Sequence, residues 1–174
     1  MSVPLVVDGI RLADDARRTI KQQLSEVIGG QAIPLANNGL IFRGVKTNKL
    51  QTVISGSGWS ASGLSGVDFT QPVVIKCIES LSRSGTAGSN IITLPANRRS
   101  DVPEVGYATT ADGDLVETPI DDITGNVFTL ATVAGAVSYK VDYWPEITVL
   151  GAVLEEDCSA DTAIWSWSLT GREQ

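Results

Sequence analysis

A strictly alternating run at residues 137–144 limits the fold of this chain more than any other sequence feature. The residues of one face are apolar or aromatic: Val137, Tyr139, Val141 and Tyr143. The other face carries Ser138, Lys140, Asp142 and Trp144. A period of two is typical of a half-buried antiparallel strand. Together with the apolar segment 127–132 and the Ala134-Gly135 turn, the run predicts two antiparallel strands.

Short apolar runs of the same kind recur along the chain, separated by turns rich in Gly, Asp or Pro. The best defined are 72–79, 90–94, 107–110, 115–118 and 163–170. Short strands joined by turns favour an antiparallel β-sandwich or small barrel, because a parallel sheet would need long crossover connections between its strands. The predicted fold class is therefore mainly β.

One segment, residues 11–28, has a different pattern. Its apolar residues recur every three or four positions: Leu12, Ala16, Ile20, Leu24, Val27 and Ile28. This spacing is typical of one face of an amphipathic α-helix. Asp14 and Asp15 would suit the dipole of its first turn, and Gly29-Gly30 would end it. The sequence thus predicts a single N-terminal helix in front of the β-rich part.

The Asn38-Gly39 pair marks a tight turn after this segment, because Asn-Gly tolerates the positive φ angles of a hairpin. With 174 residues, the chain is long enough for one ordinary domain. We expect residues 1–35 to form an N-terminal strand and helix segment. Residues 36–174 would form the β-sandwich domain.

The chain is acidic, and its charge is unevenly distributed. Its 13 Lys and Arg and 20 Asp and Glu give a net charge of −7, which disfavours specific nucleic-acid binding. Residues 1–87 carry nine basic and six acidic side chains, whereas residues 88–174 carry four and fourteen. Two interpretations stay open: varied surface charge, or a protomer whose basic end meets the acidic end of a neighbour.

The two cysteines lie in unlike settings, Cys77 in a strand pattern and Cys158 in an acidic turn. They form no CxxC or Cys-His metal pattern, and their pairing stays open. No apolar run approaches the roughly 20 residues of a membrane-spanning helix. Residues 1–10 lack the basic region and apolar core of a signal peptide. We therefore expect synthesis in a cytoplasm and no membrane insertion.

The sequence offers little to support catalysis. It contains no histidine, which removes the Ser-His-Asp and Cys-His mechanisms and the commonest metal ligand. It has no GxGxxG, Walker or calcium-loop motif. The carboxylates considered for glycoside hydrolysis are Asp101, Glu104, Asp142 and Glu146, and nothing in their spacing selects a facing pair. We expect no enzyme, catalytic residue, cofactor or metal.

Five residues are candidates for contacts with a neighbouring subunit. Arg98-Arg99, next to Asp101, is the one local basic pair in the acidic half. Arg forms bidentate pairs with carboxylates, although an ordinary exposed loop fits equally well. Tyr143 and Trp144 precede Pro145 on opposite faces of a strand. An exposed Trp there would anchor an interface, whereas a covering loop would bury both rings.

Four segments together resemble virion structural proteins of tailed bacteriophages, of the kind found in tails and baseplates. They are residues 54–59 (ISGSGW), 92–106 (ITLPANRRSDVPEVG), 134–150 (AGAVSYKVDYWPEITVL) and 165–173 (WSWSLTGRE). The resemblance implies a β-sandwich protomer that assembles into a ring of several copies. It implies no cofactor and no reaction. The predicted helix at 11–28 has no counterpart in it.

We therefore expect a non-enzymatic virion structural protein of the tail or baseplate, assembled in the cytoplasm of a bacterial host. Its partners would be copies of itself and neighbouring virion proteins. The alternative is a carbohydrate- or surface-binding β-sandwich module, with Trp59, Trp144, Trp165 and Trp167 as candidate platforms. A head–tail connector or head-surface protein of such a virion is a third interpretation.

Overall fold

The described part of the chain is built from β-strands in the computed structural model. The backbone is described for residues 3–17, 19–34 and 40–174, and the side chains for 3–17, 19–27 and 49–174. Strands make up 56% of the structure and form four small antiparallel sheets, with no helix among the described residues. The mainly β prediction is confirmed. The predicted N-terminal helix is wrong, and four small antiparallel sheets stand in place of the predicted single sandwich or small barrel.

The chain divides into two compact units. The split unit comprises Pro4–Ile75 and Ile147–Gln174, and the main body of the inserted unit is Lys76–Glu146. Apart from one end residue each of β5 and β13, the strands of the split unit are β1 (Val6–Val7), β2 (Ile10–Arg11), β3 (Thr19–Pro34), β4 (Leu40–Gly58), β5 (Val73–Lys76), β13 (Glu146–Val149), β14 (Val153–Ser159) and β15 (Ile164–Arg172). Those of the inserted unit are β6 (Leu81–Ser84), β7 (Ile91–Thr93), β8 (Val105–Thr110), β9 (Leu115–Thr118), β10 (Ile120–Thr124), β11 (Val127–Leu130) and β12 (Ala136–Tyr143). The predicted boundary after residue 35 lies beside 35–39, which are outside the described residues, and it stays a prediction.

In the segment predicted as a helix, 11–28, Arg11 ends β2, residues 14–16 form a turn and residues 19–28 belong to β3. Residues 19–26 of that segment pair with β4, beginning with Thr19 opposite Ser57. A spacing of four positions is close to one helical turn, but it is also a multiple of two and so keeps residues on one face of a strand. Pairing with β4, which is distant in sequence, selects the strand. Local periodicity does not report such a contact.

The split unit holds two sheets, with strand orders β14-β15-β4-β3 and β13-β5-β1-β2. Strands β1 and β2 are joined by Asp8-Gly9, whose φ angles of 50° and 77° match a type I′ hairpin turn. Asp and Gly at these two positions tolerate positive φ, so the sequence itself specifies this turn.

Two glycines near the end of β4 allow close packing on one face of the first of these sheets. A Cβ at Gly56 would lie 2.5 Å from the Trp167 ring, and one at Gly58 would lie 1.7 Å from the Asp15 carbonyl oxygen. The Trp167 indole Nε1–H donates to the Ala16 carbonyl at 2.8 Å. Because positions 56 and 58 are glycines without side chains, the Trp167 indole and the backbone turn at Asp15 can contact β4 closely.

The inserted unit holds two antiparallel sheets with the strand orders β7-β11-β10 and β9-β8-β12-β6. In the second of these sheets, β12 pairs with both β6 and β8, so strands that are distant in the sequence become neighbours.

Both sheets of the inserted unit contribute to one apolar core. Its buried members are Ile92, Leu94, Ala108, Phe128, Leu130, Tyr139, Val141 and Tyr143. At the start of β12 the Tyr139 hydroxyl accepts a hydrogen bond of 3.0 Å from the Val133 amide. This hydrogen bond ties a core tyrosine to the backbone segment that precedes its strand. The alternation that predicted this strand therefore holds from Tyr139 onward, whereas Val137 is half exposed.

Candidate functional site

The five residues predicted as interface contacts lie together in the inserted unit, where residues 97–101 meet residues 143–146. The backbone contacts are Arg99 N–H to the Trp144 carbonyl (2.8 Å), Glu146 N–H to the Asn97 carbonyl (3.0 Å) and a bridge between Arg98 and Pro145. We call this meeting of two segments the arginine crossing. Nothing in the local sequence pairs these segments, which are more than 40 positions apart.

Arg99 occupies the interior of the arginine crossing, with no exposed side-chain surface. Its Nε and Nη2 donate to the two carboxylate oxygens of Asp101 at 3.0 and 2.9 Å, and Nη1 donates to the Cys77 carbonyl at 2.9 Å. A buried guanidinium requires such a set of acceptors, because an unpaired buried charge is strongly destabilising. Arg99 therefore has its bidentate carboxylate within the chain. Its predicted contact with a neighbour stays a prediction.

Asp101 is ionised over the whole physiological pH range. The hydrogen bonds from Arg99 lower the pKa of Asp101 from 3.8 to about 2, and the charge of Lys76 contributes in the same direction. The Lys76 Nζ lies 3.7 Å from Asp101 Oδ1. A carboxylate with so low a pKa is a permanent acceptor and is poorly suited to donate a proton near neutral pH. The pair of Arg99 and Asp101 thus supports a structural role better than a catalytic one.

Arg98 lines a cleft of about 310 Å³ together with Glu104, Ile123 and Phe128. Its hydrogen bonds are Nε to Glu104 Oε1 (2.8 Å), Nη1 to the Pro95 carbonyl (2.9 Å) and Asn126 Oδ1 (2.7 Å), and Nη2 to the Gly125 carbonyl (3.0 Å). Its guanidinium carbon also lies 5.1 Å from the centroid of the Phe128 ring. These contacts tie the 95–104 connection to β11, and an anionic ligand in the cleft would have to compete with them.

Tyr143 and Trp144 point to opposite faces, as the alternation predicted. Tyr143 is buried in the core of the inserted unit. Trp144 is partly buried, and its Nε1–H donates to the Ile78 carbonyl at 3.1 Å. A tryptophan with its polar group satisfied inside the chain is held in a fixed orientation. Its role as an interface anchor stays a prediction.

The remaining tryptophans lie in the split unit and differ sharply in exposure. Trp167 is buried against Gly56, and Trp165 on the same strand is partly buried. Trp59 follows β4 directly and is 63% exposed, although its amide donates to the Asp15 carbonyl at 2.8 Å. Of the four candidate sugar platforms, Trp59 offers the most accessible ring.

A feature that the sequence analysis missed is the length of the hairpin formed by β3 and β4. Strand β15 pairs with β4 only from Gly58 to Gln51, whereas β3 and β4 continue to pair as far as Pro34 opposite Leu40. Among the described strands, only these two pair along this outer part. We call residues 28–34 and 40–46 the ribbon. Its seven residue pairs extend about 23 Å at 3.3 Å per residue.

The Asn38-Gly39 signal pointed to this hairpin but not to its extent. The turn itself, within 35–39, lies outside the described residues. Because residues 11–28 were interpreted as a helix, the partner of β4 was not recognised. The β-branched residues Thr19, Ile20, Val27 and Ile28, together with Gly29-Gly30, could have favoured a strand over a helix.

Two parts of the sheet that carries the ribbon differ in charge. Strand β14 forms one edge and carries Glu155, Glu156 and Asp157, all exposed. Glu156 Oε1 accepts a 3.0 Å hydrogen bond from the Ser62 amide. The ribbon, by sequence, holds Arg43 and Lys46 and no acidic residue. Strand β14 and the ribbon both belong to the split unit.

The described residues hold no group of three or more His, Cys, Asp or Glu side chains placed to bind a metal ion. Within the same residues, no helix is long and apolar enough to cross a membrane. Cys77 is buried and Cys158 is exposed, and neither is in a disulfide bond. Comparison with protein-family models, with curated proteins and with solved structures gives no match for this chain.

Proposed function

We propose that this chain is a non-enzymatic structural protein that acts by assembly with other protein subunits. The observation that carries this proposal is the ribbon, which continues the β3–β4 hairpin beyond the last residue paired with β15. A two-stranded hairpin on its own is marginally stable in water. Its open edges offer rows of backbone donors and acceptors that a further strand can pair with. An added subunit would stabilise this element.

The arginine crossing is consistent with such a role. Two charged side chains there, Arg98 and Arg99, are committed to acceptors within the inserted unit. The Arg98 side chain links the connecting segment 95–104 to the turn before β11, and the Arg99 backbone amide links it to the Trp144 carbonyl. These hydrogen bonds suit a rigid subunit, since rigid subunits lose less conformational entropy on assembly.

The tail or baseplate of a tailed-phage virion is the assembly we propose, on the strength of the resemblance carried by residues 54–59, 92–106, 134–150 and 165–173. The protein would be made in the bacterial cytoplasm and reside in the virion. Its partners would be copies of itself and neighbouring virion proteins. The net charge of −7 favours protein partners over nucleic acid.

The test of the virion proposal is to purify particles from the producing bacterium on a density gradient and quantify the chain by mass spectrometry. We expect the chain in the particle fraction at a fixed ratio to other particle proteins. Recovery only in the soluble fraction of the lysate, with particles free of the chain, would contradict the proposal. Salt-washed particles serve as the control for adventitious adsorption.

A shortened hairpin tests the part played by the ribbon. In this variant an Asn-Gly turn joins Glu26 to Leu50, which are paired across β3 and β4. We expect the variant to fold but to be lost from particles, or from oligomers of the purified chain. The matched control shortens the turn between β8 and β9 in the inserted unit and should leave assembly intact. Normal assembly of the hairpin variant would show that the ribbon does not contribute to assembly.

The exposure of Trp59 favours one alternative, a carbohydrate-binding module. An exposed indole can stack on a sugar ring, and Trp59 is 63% exposed. The alternative predicts glycan binding that Trp59→Ala abolishes and Trp59→Phe retains in part. If the unaltered chain binds nothing on a glycan array, the carbohydrate-binding alternative is excluded.

A further inference from the structure

We infer that a second copy of this chain completes the sheet, with the acidic edge strand β14 of one protomer pairing along residues 40–46 of the next. This inference rests on the proposed assembly function and names its partner and its surfaces. The observations that carry it are the acidic edge strand β14 and the basic outer part of β4, residues 40–46, which β15 does not reach in the same sheet.

The first step is the availability of the two edges. Strand β14 is the last strand of its sheet and pairs with β15 on its inner side. Strand β15 pairs with β4 as far as Arg172 opposite Gln51, and the Glu173 amide donates to the Leu50 carbonyl. Among the described strands, none pairs with residues 40–46 on that side. Both edges can accept a strand.

The second step is the match in length. Strand β14 has seven residues, and residues 40–46 are also seven. A strand of seven residues added to this edge would turn the two-stranded ribbon into a three-stranded sheet. Three strands are the number at which a β-sheet begins to be stable on its own.

Charge distinguishes the pairing of β14 with a second β14 from the pairing of β14 with the ribbon. Strand β14 carries −3, from Glu155, Glu156 and Asp157, and the ribbon carries +2, from Arg43 and Lys46. Two β14 edges brought together would place six carboxylates side by side, and like charges across a strand pair are destabilising. Pairing β14 with the ribbon brings opposite charges together. The charges thus disfavour the symmetric contact and favour the head-to-tail one.

The consequence is an assembly of defined polarity. Because each protomer presents both edges, a head-to-tail contact repeats and generates either a closed ring or an open filament. The charge contribution is screened by salt, with a Debye length of about 10 Å at 0.1 M. Assembly should therefore weaken as ionic strength rises. The backbone pairing itself is less sensitive to salt.

The test uses charge reversal on each edge of the full chain, with mass in solution measured by light scattering over a range of concentration. The edge variant is Glu155→Lys with Asp157→Lys; Glu156 is left unchanged because it accepts from Ser62. The ribbon variant is Arg43→Glu with Lys46→Glu. Each variant alone should be monomeric at concentrations where the unaltered chain assembles. The chain carrying all four changes should assemble again, since its edges are complementary with the signs exchanged.

Controls separate a lost contact from a lost fold. The matched control is Asp121→Lys with Asp122→Lys, which makes the same change in charge on the exposed edge strand β10 of the inserted unit. It should assemble normally. Circular dichroism checks that every variant keeps its strands. If the Lys variant of β14 fails to fold, Glu155→Gln with Asp157→Asn removes the charge with little change in shape and should weaken assembly by at least tenfold.

Three outcomes would overturn the inference. Normal assembly of the edge variant would place the contact elsewhere and leave the proposed assembly function standing. Failure of the four-residue exchange to restore assembly would show that charge complementarity does not select the pairing. A chain that stays monomeric at every concentration and at low salt would exclude a second copy as the partner, while its presence in particles would still support the virion role.

Discussion

The inserted and split units achieve close packing in different ways. The inserted unit fills the space between its sheets with large side chains such as Phe128 and Tyr139. The split unit also removes side chains, at Gly56 and Gly58, so that Trp167 and a backbone turn can approach β4 closely. Packing in the inserted unit depends on large side chains, whereas packing against β4 in the split unit depends on the absence of side chains at Gly56 and Gly58. Deleting side-chain atoms should therefore destabilise the inserted unit, and adding side-chain atoms at the glycines should destabilise the split unit.

The largest effect is expected from Phe128→Ala in the inserted unit. Phe128 is fully buried, and removing a buried phenyl ring costs about 3–5 kcal/mol in the free energy of unfolding. Denaturant unfolding measures the change. Val137→Ala is the control, because Val137 is half exposed on the same unit and should shift stability by less than about 0.5 kcal/mol. Equal effects of the two would contradict the assignment of the core.

Gly58→Ala should be the most harmful single methyl group in the split unit. Its Cβ would lie 1.7 Å from the Asp15 carbonyl oxygen, so backbone must move, and overpacking of this kind costs roughly 3 kcal/mol. Gly66→Ala is the matched control, since a Cβ there meets nothing within 4 Å. Unfolding midpoints of the two variants should separate clearly. A tolerated Gly58→Ala would remove the proposed contrast between the units.

Tyr139→Phe sharpens the comparison by testing the hydrogen bond between the Tyr139 hydroxyl and the Val133 amide with little change in side-chain volume. The variant keeps the ring but leaves the Val133 amide without its acceptor. Loss of one such hydrogen bond costs about 1 kcal/mol. The unfolding free energy should fall by that amount and the circular dichroism spectrum should stay unchanged. A neutral effect would mean that water replaces the hydroxyl.

The smallest effect concerns acid stability. The pKa of Asp101 is lowered from 3.8 to about 2 in the folded chain, so the ionised form favours folding. Its contribution is complete above pH 3.8 and is lost as the pH falls toward 2. Asp101 is 43% exposed, so solvent screens the pair and keeps the contribution small. Asp101→Asn should flatten the decline of the unfolding midpoint over this range, and an unchanged decline would assign it to other carboxylates.

The candidate site was only partly predictable from the sequence. The sequence pointed to Arg98, Arg99, Asp101, Tyr143 and Trp144, and the structure brings them together. Arg99 and Asp101 are two positions apart, so their pairing was open to local inference. The enclosure of Arg99 by the Cys77 carbonyl was not. The ribbon was missed because its two strands pair along a register that only the fold supplies.

Local patterns determined the features that depend on near neighbours. Alternation placed Tyr139 and Val141 in the core and Trp167 and Leu169 on a buried face, because a strand exposes its two faces in turn. Asp8-Gly9 encoded a hairpin turn through its tolerance of positive φ. Tertiary structure alone decided the rest. The apolar spacing of residues 11–28 satisfies both a helix and a strand, and only pairing with β4, up to 38 positions away at Thr19 and Ser57, selected the strand.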